Sequence, residues 1–198
     1  VPQLLVAGYR VTVLDNFIYK QNSLLDICYH PNLNIVVADV RNEKRLQKEV
    51  VKHDIIVPLA AIVGAPACDK DKPMATTVNQ TQIENIAKWV SKDQMVLYPV
   101  TNSGYGIGQE GVYCTEETPL NPISHYGRTK VAGEKALLEM GNAVTFRLAT
   151  VFGTAPRMRM DLLVNDFVYR AFKDRFIVLF ESHFKRNYIH IRDIASVF

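Results

Sequence analysis

Residues 95–106 read Met95-Val-Leu-Tyr-Pro-Val-Thr-Asn-Ser-Gly-Tyr-Gly106, an apolar run that becomes polar at Thr101. An apolar run without alternation is typical of a strand that is covered on both faces in a parallel sheet. The polar residues after it leave the carboxyl end of the strand, where open α/β sheets bind their ligands. This stretch therefore predicts the fold class and the region of the functional site.

Further apolar runs of the same kind occur on both sides of this stretch. They are residues 11–15, 34–38, 54–58 and 143–148. Between them, residues 43–52, 76–91 and 124–140 carry apolar side chains at helical spacing. Strands that alternate with helices over short connections predict right-handed crossovers and a doubly wound parallel α/β sheet.

Composition restricts the class of protein. The 198 residues are 48% hydrophobic and 22% charged, which is ordinary for a globular core and excludes a disordered tail. The net charge of +3 is spread along the chain, so we expect no nucleic-acid surface. The longest apolar run, residues 55–68, is interrupted by Pro58, Gly64 and Pro66 and is shorter than the roughly 20 residues that span a bilayer.

The cysteines and histidines predict neither a disulfide framework nor a metal site. The three cysteines are far apart, and no histidine pair has the spacing of metal ligands. We therefore expect reduced thiols. No signal peptide opens the chain, so we expect a cytoplasmic location.

Asp15 ends the first predicted strand. In a dinucleotide-binding unit such an acidic residue follows a glycine-rich fingerprint by about 20 residues. Counting back from Asp15 places the fingerprint before Val1, and none occurs within the 198 residues. We therefore expect the first strand and its glycine-rich loop to be missing from this chain or from the protein. Residues 193–198 begin a further helix.

The chemistry of the chain is concentrated around Tyr126-Gly-Arg-Thr-Lys130. This spacing puts a phenol and an ammonium on one face of a helix, where the cation stabilises a tyrosinate and suits the tyrosine to general-base work. Spacing alone is weak evidence, because Tyr169 and Lys173 repeat it; for that copy we expect helix packing with a solvated lysine. The first copy begins its helix, which Ser124 is placed to cap, and Thr101 is a hydroxyl suited to the same substrate oxygen.

Together these motifs resemble those of the extended short-chain dehydrogenases/reductases. The matching residues are Asp15, 38–40, 59–61, Asn79, 101–106, Tyr126, Lys130, Arg147 and 185–190. Within that superfamily the chain is similar to the nucleotide-sugar epimerases and dehydratases, of which UDP-glucose 4-epimerase is typical. The resemblance covers nearly the whole chain.

The resemblance implies NAD as the cofactor. Asp15 would accept hydrogen bonds from the adenosine ribose, and its carboxylate would repel the 2′-phosphate of NADP; no arginine follows it. The residues implied to bind the cofactor are Asp15, Asn16, Asp39, Val40, Leu59, Ala60, Ala61, Asn79, Tyr126 and Lys130.

The resemblance also implies the catalytic and substrate-binding residues. Thr101, Tyr126 and Lys130 would form the catalytic set, and Lys130 would also hold the nicotinamide ribose. The residues implied to contact substrate are Thr101, Asn102, Ser103, Thr150 and Arg186. Arg186 would bind the diphosphate of a sugar nucleotide, which suits a guanidinium fork, whereas Thr150 replaces the family's usual Asn.

Departures from the family pattern bear on the reaction. The related dehydratases carry Asp and Glu after the catalytic Thr, whereas this chain carries Asn102 and Ser103, which exchange no proton near neutral pH. Epimerisation at C4 of a UDP-hexose, through a transient 4-keto sugar, is therefore favoured. A nucleotide-sugar 4,6-dehydratase, a 4-keto-sugar reductase and a non-catalytic nucleotide-binding homologue remain as alternatives.

The resemblance implies a division of the chain and an assembly. Residues 1–152 would form an NAD-binding, Rossmann-type domain, and residues 153–198 would begin a smaller, truncated sugar-nucleotide-binding region. The family often dimerises through two helices beside the active site, here residues 83–91 and 131–140, so we expect a homodimer.

Overall fold

The computed structural model describes residues 1–108 and 113–198. Its strands are β1 (Val11–Asp15), β2 (Leu33–Val37), β3 (Ile55–Ile56), β4 (Met95–Thr101), β5 (Ala143–Leu148), β6 (Thr150–Phe152) and β7 (Tyr188–His190). Its helices are α1 (Pro2–Val6), α2 (Glu43–Val50), α3 (Ala65–Lys70), α4 (Lys72–Thr76), α5 (Gln82–Trp89), α6 (His125–Met140), α7 (Leu163–Lys173) and α8 (Ile191–Val197). Strands and helices alternate as predicted.

The chain groups into two compact units. One contains residues 1–13, 17–35 and 149–198, and the other contains residues 14–16 and 36–148. The predicted domain boundary after residue 152 stays a prediction. No helix among the described residues is long and apolar enough to cross a membrane.

A parallel sheet in the order β3–β4–β5 forms the centre of the second unit. Ile55 is aligned with Met95, and Thr101 is aligned with Leu148. The pairs β1–β2 and β6–β7 form separate ladders, the latter also parallel. The predicted α/β class with parallel sheets is confirmed, and Thr101 ends the central strand as expected.

Strand β3 is shorter than the predicted run of residues 54–58. Pro58 has no N–H to donate to a ladder. Beyond it, side chains of the neighbouring helix bind the backbone: Gln82 Nε2 donates to the carbonyl of Ala60, and Asn79 bonds both backbone groups of Ile62. The chain after β3 is therefore held by helix side chains instead of by a strand.

The predicted helix 76–91 forms as far as Trp89 and contains a π-helical turn. Helix α4 ends at Thr76, a π-helical turn covers Thr77–Thr81, and α5 follows from Gln82. The π turn carries Asn79, whose side chain is bonded to Ile62. Such turns inside helices are frequent at functional sites.

The core of the second unit lies between this sheet and its helices. Its buried side chains are Leu46, Val50, Ile83, Ile86, Val96, Tyr98, Val100 and Leu137. Gly133 allows the close packing of α6, because a Cβ at that position would lie 3.2 Å from Ile83 Cβ and 3.2 Å from the Tyr98 hydroxyl.

The two helices predicted to form a dimer interface, α5 and α6, pack against each other. Ile83, Ile86 and Leu137 are buried in this contact. Leu138 is the exposed large apolar side chain on α6. The homodimer stays a prediction.

Candidate active site

Helix α6 positions Tyr126 beside the segment that follows β4. Ser124 caps the helix, as predicted, by accepting a 3.0 Å hydrogen bond from the N–H of Gly127. A Cβ at Gly127 would lie 3.2 Å from the carbonyl oxygen of Ser103. The glycine thus allows the first turn of α6, which carries Tyr126, to approach the residues after Thr101.

Lys130 follows Tyr126 by one turn of α6 and is almost completely buried, with 4% of its surface exposed. Its Nζ lies 4.0 Å from the centroid of the Tyr98 ring. Burial lowers the pKa of Lys130 to about 7, and the charge of Glu134 acts in the opposite direction. Burial therefore weakens the hold of Lys130 on its proton, compared with an exposed lysine.

Tyr98 of β4 is the aromatic residue beside Lys130. It is 1% exposed, and its pKa is raised far above the ordinary range, first by burial and then by the nearby Tyr126 and Glu134. Its hydroxyl donates a 3.4 Å hydrogen bond to the carbonyl of Asn79. The sequence pattern predicts Tyr98 only as part of an apolar strand.

The second Tyr-x-x-x-Lys copy differs in the way that was expected. Tyr169 and Lys173 lie on α7, where both side chains are exposed. The Lys173 ammonium lies 5.3 Å from the Tyr169 ring centroid, and a hydrogen bond with Tyr169 raises the pKa of Lys173. An identical spacing thus gives a solvated cation on α7 and a buried, readily deprotonated one on α6.

Thr101 ends β4 and is 8% exposed. Its Oγ1 accepts a 3.2 Å hydrogen bond from the N–H of Ser103, which starts a short 3₁₀ turn over Asn102–Tyr105. The structure therefore places Thr101, Asn102 and Ser103 together at the carboxyl end of the central strand. This is the end of the sheet at which open α/β folds bind ligands.

Asn79 was predicted to bind the cofactor, and its side chain bonds the backbone of Ile62. Its Oδ1 accepts from the Ile62 N–H at 2.8 Å, and its Nδ2 donates to the Ile62 carbonyl at 2.9 Å. Together with Gln82, it fixes the predicted cofactor segment Leu59, Ala60 and Ala61, where the Leu59 side chain is 66% exposed. Sequence reasoning missed Gln82, whose only signal is an amide three residues after Asn79.

Replacing Asn79 with alanine is expected to lower the free energy of unfolding by about 1–3 kcal/mol, because the backbone groups of Ile62 lose their side-chain partner. Urea denaturation measures this change. Gln80→Ala is the matched control, since Gln80 lies in the same π turn but bonds Glu84; we expect a change below about 0.5 kcal/mol. Equal losses in both variants would contradict the assigned role of Asn79.

Asp15, Asn16 and Asp39 lie together where β1 and β2 end. The N–H of Ala38 donates to the carbonyl of Asp15 at 3.0 Å, and Asn16 Nδ2 donates to Asp39 at 3.1 Å. Arg41 binds the Asp39 carboxylate at 2.8 and 2.9 Å and holds the pKa of Asp39 well below its usual range. Arg41 was not predicted to bind Asp39, although it follows Asp39 by only two residues.

Val40 packs against the core of the second unit. Thr150 and Arg186, predicted to contact substrate, belong to the other unit. Thr150 begins β6 and donates its N–H to the carbonyl of Asn187 at 3.3 Å, while Arg186 is exposed just before β7. The structure brings these two predicted substrate residues into one region of that unit.

The donor set of the second unit fits a nucleotide cofactor. Within residues 1–108 and 113–198, no carboxylate lies within ion-pair distance of the Lys130 ammonium, although the side chain is buried. An ammonium has three N–H donors and no acceptor, so it suits ribose hydroxyls and a phenolate.

Comparison with known proteins identifies the family. The model of the NAD dependent epimerase/dehydratase family matches residues 1–198. The chain belongs to this family. Because the family depends on NAD, the cofactor predicted from the sequence is confirmed at the family level.

Two curated relatives are similar to parts of this chain. Methionine adenosyltransferase 2 subunit beta of Bos taurus is 26% identical over 145 residues, 72% of this chain and 42% of that protein. dTDP-4-dehydrorhamnose reductase of Salmonella typhimurium is 29% identical over 102 residues, 50% of this chain and 34% of that protein. The chain thus spans less than half of the length of these relatives.

A solved structure of an epimerase is similar in fold. UDP-glucuronic acid 4-epimerase from Bacillus cereus, in complex with UDP-glucuronic acid and NAD, superimposes with a TM-score of 0.81 at 23% identity. The match covers 98% of this chain and 65% of that one. The predicted Rossmann-type fold class of this family member is confirmed.

Proposed function

We propose that the protein is an NAD-dependent nucleotide-sugar epimerase that inverts C4 of a UDP-hexose through a transient 4-keto sugar. The observation that carries the proposal is the buried Lys130 ammonium, one turn from Tyr126 on a helix whose first turn lies against Ser103, two residues after Thr101. Membership of the NAD dependent epimerase/dehydratase family supports the cofactor and the class of reaction.

The residues of this site have distinct roles in the proposed reaction. Tyr126, as phenolate, accepts the proton of the sugar 4-hydroxyl, and the Lys130 ammonium stabilises the phenolate charge. Thr101 donates a hydrogen bond to the same sugar oxygen. NAD, when bound, supplies the acceptor and later the donor of the hydride at the sugar carbon. After the keto sugar has turned in the site, Tyr126 returns the proton to the oxygen, and the opposite configuration results.

The residues next to Thr101 favour epimerisation over dehydration. Loss of water from the sugar requires an acid and a base beside the reacting carbons. Asn102 and Ser103 occupy the turn that follows β4, and neither side chain exchanges a proton near neutral pH. An epimerase needs only the one base that Tyr126 provides.

A 4-keto-sugar reductase is the second candidate, favoured by the similarity to the Salmonella reductase. A reductase uses the same phenol to donate a proton to the carbonyl oxygen, and it consumes one reduced cofactor in each turnover. An epimerase regenerates its cofactor in each turnover, so net cofactor consumption distinguishes the two reactions.

Direct assay of the full-length protein tests the proposal. We expect NAD to be released when the purified protein is denatured. We expect the native protein to interconvert UDP-glucose and UDP-galactose without added reductant. Bound NAD without interconversion of any UDP-hexose would refute the epimerase. Consumption of NADH with a 4-keto sugar would establish the reductase, and absence of both cofactor and turnover would favour a non-catalytic homologue.

A further inference from the structure

Two buried side chains that no catalytic role yet includes lie near the Lys130 ammonium, one on β4 and one on α6. The Tyr98 ring faces it at 4.0 Å. Glu134 follows one turn later on α6 and is 1% exposed. A buried ammonium is costly unless nearby groups compensate its charge, and these are the compensating groups on β4 and α6.

Glu134 is itself fixed in place from strand β5. Its Oε1 accepts hydrogen bonds from Thr145 Oγ1 at 2.9 Å and from Arg147 Nε at 3.0 Å. Arg147 also donates to the Tyr105 hydroxyl at 3.3 Å and to the carbonyl of Glu116 at 3.0 Å. The carboxylate is therefore held in place by two donors on β5.

We propose that Tyr98 and Glu134 are positioning residues for Lys130: the ring holds the ammonium at its place in the core, and the buried carboxylate supports it from the next turn of α6. The inference rests on the proposed function in that Lys130 serves the reaction. The titratable and charged groups around Lys130 are Tyr98 on β4, Tyr126 and Glu134 on α6, Arg147 on β5, and Tyr105 in the 3₁₀ turn.

The direction of the effect follows from charge. Removing the ring or the carboxylate removes a stabilising interaction of the protonated form, so Lys130 must lose its proton at lower pH. A cation–π contact of this kind corresponds to a shift of about one pH unit. Since the phenolate of Tyr126 needs the charged lysine, the alkaline limit of kcat moves to lower pH by the same amount.

Titration of Lys130 by NMR tests the inference without nucleotide sugar or added NAD. The full-length protein is labelled with ¹³C at lysine Cε, and Lys130→Arg assigns the resonance. We expect Tyr98→Leu and Glu134→Gln to lower the titration midpoint by about one pH unit. We expect Tyr98→Phe, which keeps the ring, to retain the midpoint.

Glu139→Gln is the matched control for the carboxylate, because Glu139 lies on the same helix but is exposed and 3.9 Å from Lys135. In Glu139→Gln we expect the titration midpoint of Lys130 and the activity to be unchanged. A midpoint equal to that of the unaltered protein in Tyr98→Leu or in Glu134→Gln would overturn the role of that residue. If Glu134→Gln does not fold, the Tyr98→Leu and Tyr98→Phe pair still decides the role of the ring.

The same data separate this inference from the proposed function. Shifted midpoints in a protein that turns over no nucleotide sugar would refute the epimerase and leave the positioning roles intact. Unshifted midpoints in an active epimerase would refute the positioning roles alone. In the active enzyme, a merely structural role would lower kcat at every pH and would leave its alkaline limit in place.

Discussion

Replacing Tyr126 with phenylalanine is expected to lower kcat by a factor of about 100 to 10,000, because the reaction loses its acid–base group. The fold should survive, since the ring and its helix remain. The measurement is the steady-state rate of UDP-hexose interconversion beside the urea midpoint of the same sample. Bound NAD should still be released on denaturation.

Tyr169→Phe is the matched control for this variant. Tyr169 has the same spacing to a lysine, but it lies exposed on α7. We expect its kcat to equal that of the unaltered protein. Full activity in Tyr126→Phe would refute the assigned base, and a parallel loss in both variants would show that the loss is not specific to the site.

Replacing Lys130 with methionine is expected to abolish measurable turnover and to stabilise the protein at low pH. The folded protein holds Lys130 with a pKa near 7, lowered by burial, against an ordinary value of 10.5. Below pH 7 the charged lysine is buried at full cost, on the order of a few kcal/mol. Methionine removes this cost, so the variant should be the more stable protein at pH 6.

The sign of the pH dependence follows from proton binding. Between about pH 7 and pH 10.5 the unfolded chain keeps a proton on Lys130 that the folded chain has lost, so stability rises with pH over this window. The advantage of Lys130→Met should therefore be largest at pH 6 and should disappear by about pH 10. Urea denaturation at pH 6, 8 and 10 measures it.

Lys173→Met is the control for this second prediction. Lys173 is exposed, and its pKa is raised by Tyr169 instead of lowered. We expect a stability change below about 0.5 kcal/mol at pH 6 and normal turnover. A Lys130→Met variant that is less stable than the unaltered protein at pH 6 would contradict the cost assigned to the buried charge.

Local patterns in the sequence were sufficient for the main features of the sheet and the start of α6. Apolar runs predicted β1, β4 and β5 to within a residue, because a short apolar run between turn residues is a local signal for a strand. The Ser124 cap was predicted because capping is a matter of a few neighbouring residues. Thr101 at the strand end followed from the change of polarity in one segment.

Features that depend on distant contacts were not predicted. The π turn within the helix over residues 76–91 accompanies bonds from Asn79 and Gln82 to a segment about 20 residues earlier. The sequence predicts Tyr98 as a core residue, because nothing in its strand indicates that a lysine of α6 packs against its ring. The role of Glu134 depends on Arg147 of β5, which spacing within α6 cannot indicate.

Gly133 has a practical consequence for attempts to change what this protein acts on. Because Gly133 has no side chain, α5 and α6 pack closely and Tyr98 fits beside them. A Cβ at this position would lie 3.2 Å from Ile83 Cβ and 3.2 Å from the Tyr98 hydroxyl. A mutant library that varies the residues after Thr101 can therefore sample positions 102 and 103, but should keep position 133 as glycine. Other side chains at position 133 would disturb the packing between α5 and α6.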